Sequence, residues 1–74
     1  MKITKLGNQN ATVIETNDKI VLFSYETPVA ANVDGKLYKT DKFWSKTTSK
    51  HINQFVNNYP VETMPQQYFD TLLD

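Results

Sequence analysis

The stretch Leu37-Tyr38-Lys39-Thr40-Asp41-Lys42-Phe43-Trp44-Ser45-Lys46-Thr47-Thr48-Ser49-Lys50-His51-Ile52 is where the chain changes its period. Ahead of residue 43, apolar and polar positions alternate in short runs, the two-residue repeat of strands. Beyond it, Ile52, Phe55, Val56 and Tyr59 fall at i, i+3, i+4 and i+7, one stripe of an α-helix. The polar run of residues 45–51 marks the start of that helix, and Thr47, Thr48 and Ser49 are each competent N-caps. Asn57-Asn58 before Tyr59-Pro60 is a stop, since a residue preceding proline avoids the α region. The pattern predicts a helix over residues 48–58 with Phe55 in its buried stripe.

Upstream, residues 19–25 make the strongest strand. Ile20, Leu22 and Ser24 alternate with Val21, Phe23 and Tyr25. Both faces are largely apolar, which predicts a central position. Residues 11–16 are rich in β-branched side chains and pair with that strand through Asn17-Asp18, two residues that tolerate tight turns. Residues 1–6 form a first strand with Ile3 and Leu6 inward, followed by the turn cluster Gly7-Asn8-Gln9-Asn10. Thr27-Pro28 places the next strand, residues 29–33, at a break or an edge, because proline cannot donate to a ladder. Asp34-Gly35 is a two-residue hairpin signal, and residues 36–40 return from it with Leu37 and Tyr38 inward. Near the C-terminus, Thr63-Met64-Pro65-Gln66 fits a capping box ahead of an apolar stripe of Phe69, Leu72 and Leu73.

The expected fold is α+β: an antiparallel β-meander of four or five strands packed on one face against one amphipathic helix, with a short C-terminal helix at the side or end. The 74 residues suffice for one domain, with the sheet in residues 1–42 and the helical part in residues 47–74. A chain this short buries only about 60% of its unfolded surface, so its core is thin. There is no cysteine to staple it, and a lone histidine cannot make a structural zinc site. Oligomerisation is the other common aid, and the sequence leaves it open. Lysine supplies all eight positive charges and eight acids balance them, which argues against a general polyanion binder. No apolar run is long enough for a signal peptide or a membrane span, so no membrane partner is expected.

Catalytic chemistry has little support. His51 is the only imidazole, and Ser24, Ser45 or Ser49 could be imagined beside it, but no nucleophile-elbow pattern accompanies them. Glu15 with Asp18, and Asp34 with Asp41, flank turns and lack a pocket. No catalytic residue, metal ligand or cofactor is assigned. Binding is better supported. Lysines 36, 39, 42, 46 and 50 interleave with Tyr38, Phe43 and Trp44, a mixture that suits phosphates and unpaired bases. The candidate residues for an anion or a partner are Lys42, Trp44, Lys46, Thr47, Thr48, Lys50 and His51. Tyr25, Tyr38 and Tyr59 are further candidates for a protein interface, where Tyr and Trp are the usual anchors. A purely structural reading competes: solvated lysines, Phe43 and Trp44 in the core, and hydroxyls that only cap the helix. The absence of arginine weakens any base-reading version.

The run Phe23-Ser24-Tyr25-Glu26-Thr27-Pro28-Val29-Ala30-Ala31, then Gly35, Tyr38-Lys39-Thr40, and Trp44-Ser45-Lys46-Thr47-Thr48-Ser49-Lys50-His51-Ile52-Asn53 resembles a family of small proteins encoded by bacteriophages and related mobile elements. The resemblance spans residues 21–56. It is specific in Tyr-x-Thr-Pro-Val-Ala and Thr-Thr-x-x-His-Ile-Asn and loose elsewhere. That family has no assigned function. What the resemblance implies is a protein of the bacterial host cytoplasm, and it carries over no catalytic residue. Together these readings lead to a non-catalytic phage-type interaction module that binds a host or phage protein. The alternative is a nucleic-acid or phosphate binder using residues 36–51.

Overall fold

A computed structural model describes residues 2–5 and 10–72. Five strands run as an antiparallel meander: β1 (Lys2–Lys5), β2 (Ala11–Glu15), β3 (Lys19–Ser24), β4 (Thr27–Val33) and β5 (Lys36–Thr40). Helix α1 (Lys46–Val56) then carries the chain back to β6 (Val61–Met64), which lies parallel to β5. A parallel pair needs a crossover of this kind. Helix α2 (Gln66–Asp70) follows directly. The α+β class and the five-strand meander are as the alternation predicts, and β6 adds a sixth strand inside what was expected to be a purely helical part.

The two helices cover opposite faces of the sheet. Ile52 and Val56 of α1 pack with Ala11, Leu22, Val29 and Ala30, while Phe69 of α2 packs with Val21 and Ala31. This explains why β3 is apolar on both faces. It also corrects the expectation that α2 sits at the side or end. Phe69 is the largest fully buried side chain, at 1% exposure. Phe55, expected in the core, is only half-buried against the α1 cluster.

Local details follow from residue chemistry. Asp34 and Gly35 both take positive φ, 53° and 84°, the twist of a primed hairpin turn. Pro28 sits inside β4 at an irregularity in the β3–β4 register, where Leu22 pairs Ala30 but Phe23 pairs Pro28. That irregularity lets Val29 and Ala30 enter the same core cluster. It also locates a proline where the ladder is already interrupted, but β4 begins at Thr27 and lies centrally between β3 and β5, which corrects the expected edge position and the start at residue 29. Asn57 (φ 49°) and Asn58 (φ 66°) end α1 in the left-handed region, as the stop signal implies.

Four further expectations are corrected. The N-cap of α1 is Ser45, whose hydroxyl accepts from the Thr48 N–H at 3.1 Å, so the helix starts two residues early and Thr47, Thr48 and Ser49 lie inside it. Tyr59 lies beyond the helix and is exposed, because the left-handed asparagines turn the chain before the stripe reaches it. Thr63 belongs to β6, and the N-cap of α2 is Pro65 with no side-chain cap, so the apparent capping box is not one. Ile3 is 65% exposed: β1 is an edge strand, and the helices pack chiefly over β3 and β4. Leu6, the Gly7-Asn8-Gln9 part of the first turn, and Leu73 lie outside the described residues.

Candidate functional site

The meander brings three chain segments to one end of the sheet: the β3–β4 turn, the β5–α1 loop and the first turns of α1. Alternation along β3 puts Ser24 on the face that meets α1, on the same side as Leu22. Helical spacing puts Thr48, His51 and Ile52 on the facing stripe. Ser24 Oγ therefore lies 2.9 Å from Thr48 Oγ1 and 2.9 Å from His51 Nδ1. The Ser45 hydroxyl donates to Thr48 Oγ1 at 3.3 Å, so Ser45, Thr48, Ser24 and His51 form one chain of hydrogen bonds. His51 is 2% exposed, and its buried Nε2 has no hydrogen-bond partner among the described residues.

Chemically this chain ties a helix to a strand. Buried polar groups need such partners, since each one left unpaired costs about 1–3 kcal/mol. It differs from a catalytic triad in two respects. A triad imidazole is oriented by a carboxylate on its second nitrogen, and no carboxylate meets His51 Nε2 among the described residues. Ser24 is itself buried at the floor of a cleft.

That cleft, of about 290 Å³, is floored by Ser24, Val29 and Thr48 and walled by Tyr25 and Trp44. Tyr25 occupies the two-residue turn between β3 and β4 with φ 59°, a conformation costly for a bulky side chain. Its N–H donates to the Asn10 carbonyl at 2.6 Å, and its ring stands 6.2 Å from the His51 ring. Trp44 is held from the opposite side. Its Nε1–H donates to Gln66 Oε1 at 3.1 Å, and the Gln66 amide donates to the Pro28 carbonyl at 2.7 Å and to Asp70 Oδ1 at 3.0 Å. The Lys42 ammonium lies 4.1 Å from the centre of the Trp44 ring, a cation–π distance. The loop before it is pinned by the Asp41 N–H on the Met64 carbonyl and the Lys42 N–H on Thr40 Oγ1.

Phe43, Tyr25 and Trp44 are exposed to 71%, 52% and 40%. The competing expectation that Phe43 and Trp44 belong to the core is thereby corrected: the loop leaves the sheet at Thr40 before it reaches either. Lys42, Lys46, Thr47 and Lys50 are also exposed at this end. Among the described residues the only ion pair joins Lys19 to Asp18, so no carboxylate lies within 4.0 Å of Lys42, Lys46 or Lys50 there.

The remaining candidates are not gathered with these. Tyr38 is half-buried on the α2 face, its ring 5.6 Å from that of Tyr68. Burial first, and then the neighbouring Tyr38 hydroxyl, push the Tyr68 phenol above its ordinary value. Tyr59 is at the far end, on a wider cleft of about 540 Å³ with Gly35, Lys36 and Val61. Sequence reasoning overlooked Gln66 and understated Ser24. The signal for Ser24 was available, since the stripe of α1 continues backward from Ile52 through His51 to Thr48, opposite the apolar face of β3.

A family model matches residues 1–71. The chain belongs to a family of unknown function, DUF8033. No curated protein and no solved structure matches it. Family membership therefore brings no ligand or reaction with it. Among the described residues no three of His, Cys, Asp and Glu are grouped to hold a metal, and no helix is long and apolar enough to cross a membrane.

Proposed function

We propose that this DUF8033 chain is a small non-catalytic interaction module, encoded by a phage or related mobile element, that binds a host or phage protein in the bacterial cytoplasm. The supporting observation is that Tyr25 and Trp44, which wall one cleft, and Phe43, which borders the neighbouring one, are all left exposed at one end of the domain. Large amphipathic rings held in place lose little conformational entropy on binding, which makes them effective anchors. The Trp44 indole bonds Gln66 and the Tyr25 backbone is set by its turn, contacts that already hold both residues in place at this end. The test is affinity capture from the bacterial host with the wild-type chain and with Phe43→Ser/Trp44→Ser. A protein retained by the first and lost with the second supports the reading. Identical captures from both chains contradict it.

A second reading rests on Lys42 over Trp44 with Lys46 and Lys50 close by: a binder of single-stranded nucleic acid or of phosphate. Such binding weakens steeply as salt rises and is abolished in Lys46→Glu/Lys50→Glu. No shift of single- or double-stranded oligonucleotides at low salt removes this reading.

A further inference from the structure

We infer, building on the interaction-module reading, that the Tyr25–Trp44 cleft receives one apolar side chain of an acidic segment of the partner protein. Three observations specify this occupant. The first is size: about 290 Å³ lies at the small end of ligand pockets, which run from about 300 to 1,000 Å³, so it admits one side chain and not an extended small molecule. The second is shape and chemistry. The two aromatic rings offer apolar contact, while the Ser24 and Thr48 hydroxyls on the floor are already hydrogen-bonded to each other. An entering apolar group therefore strips no polar group of its partner.

The third is charge. The Lys42 ammonium lies over the ring of Trp44, a wall residue, Lys46 follows the wall residue Ser45 in the chain, and Lys50 is one helical turn further on. None has a carboxylate within 4.0 Å among the described residues. The first turn of α1 also carries no acidic residue, although an acid is favoured there. Carboxylates of a partner would pair these lysines, which Glu26, Asp41 and Asp70 of the chain itself do not reach within 4.0 Å. An acidic peptide fits better than a nucleic acid, because the chain as a whole balances its eight lysines with eight acids and has no arginine to read bases.

The experiment uses the full chain, isotope-labelled, with Trp44 as its single tryptophan reporter. The probes are a synthetic peptide with one phenylalanine flanked by aspartates, the same peptide with lysines for aspartates, the same with alanine for phenylalanine, and a short oligothymidine. The expected result is a saturable change in Trp44 fluorescence and in the amides of Ser24, Tyr25, Ser45 and Thr48 with the first peptide alone. Lys46→Glu/Lys50→Glu, shown to be folded by its amide spectrum, weakens it by about tenfold or more. No saturable response to the acidic peptide, an equal response to the lysine peptide, or a preference for oligothymidine each overturns the inference. The two readings fail separately. A captured partner that depends on Phe43 and Trp44, with no response to the acidic peptide, leaves the module standing and refutes this occupant; capture independent of both residues refutes the module itself.

Discussion

Ser24 Oγ and His51 Nδ1 stand 2.9 Å apart, joining the last residue of β3 to the middle of α1. Because Thr48 bonds the same Ser24 oxygen, one small hydroxyl fixes where the helix sits on the sheet and hence where the Tyr25–Trp44 cleft opens. Ser24→Ala strands Nδ1 and removes a partner of Thr48. The expected loss is about 1–3 kcal/mol in urea unfolding. A loss under about 0.5 kcal/mol would mean that the bond does not matter to the fold.

The tautomer of His51 follows from the same geometry. An unpartnered buried N–H is rarer in proteins than an under-satisfied acceptor. With Nε2 lacking a partner among the described residues, the proton is expected on Nδ1, donated to Ser24. Nitrogen chemical shifts of the imidazole read this directly. A proton found on Nε2 would contradict it and would leave Nδ1 free to accept from Ser24, the arrangement a nucleophilic serine needs.

Phe69 and Phe55 separate the two core clusters. Phe69→Ala deletes a fully buried ring and is expected to cost about 3–5 kcal/mol. Phe55→Ala removes a half-buried ring and should cost less than about 2 kcal/mol. Equal costs in denaturant unfolding would show that α2 does not close its own face of the sheet.

Tyr25 holds a left-handed conformation that costs an ordinary residue about 1–2 kcal/mol. Tyr25→Gly removes that cost along with the ring contacts, so stability should change by less than about 1 kcal/mol. Tyr25→Val keeps the strain with a β-branched side chain and should be clearly less stable than the glycine variant. A large loss in Tyr25→Gly would mean that the ring is needed by the fold and not by a partner.

Tyr68 gives the expected pH dependence. Its phenol is raised by burial and by Tyr38, so the neutral form is favoured in the folded chain. The folded state then binds the proton more tightly than the unfolded chain does. That contribution is fully present below the ordinary tyrosine value, about 10, and is lost as pH rises through the higher folded value. Tyr68→Phe should flatten this alkaline loss in thermal unfolding. An unchanged slope would show that Tyr68 is not its source.

Much of the fold was legible because it rests on local chemistry. Alternation in residues 19–24, Asp34-Gly35 at its turn, and the asparagines after Val56 each act within a few residues. Strand β6 was not legible: Val61-Glu62-Thr63-Met64 is short, follows a proline, and is specified by parallel pairing with β5 far back in the chain. Pro65 and Gln66 then imitate a capping signal with Thr63 while serving other ends, Gln66 bonding Trp44 and Pro28. The site was half legible. Trp44, Tyr25, Thr48, His51 and the lysines were named from sequence, but large apolar residues belong inside by default, so choosing the exposed reading of Phe43 and Trp44 over the core one needed the loop geometry. The Ser24 contact needed the pairing of β3 with α1.

The exposed aromatic end carries the functional conclusion, and its most direct measurement is the affinity of a captured partner for the wild-type chain and for Phe43→Ser/Trp44→Ser, with both chains shown to be folded by the same unfolding curve. The predicted result is a loss of about thirtyfold or more, the effect of removing at least one anchor worth about 2 kcal/mol, with stability lowered by less than about 1.5 kcal/mol. Unchanged affinity in a folded double variant would contradict the proposed role of this end.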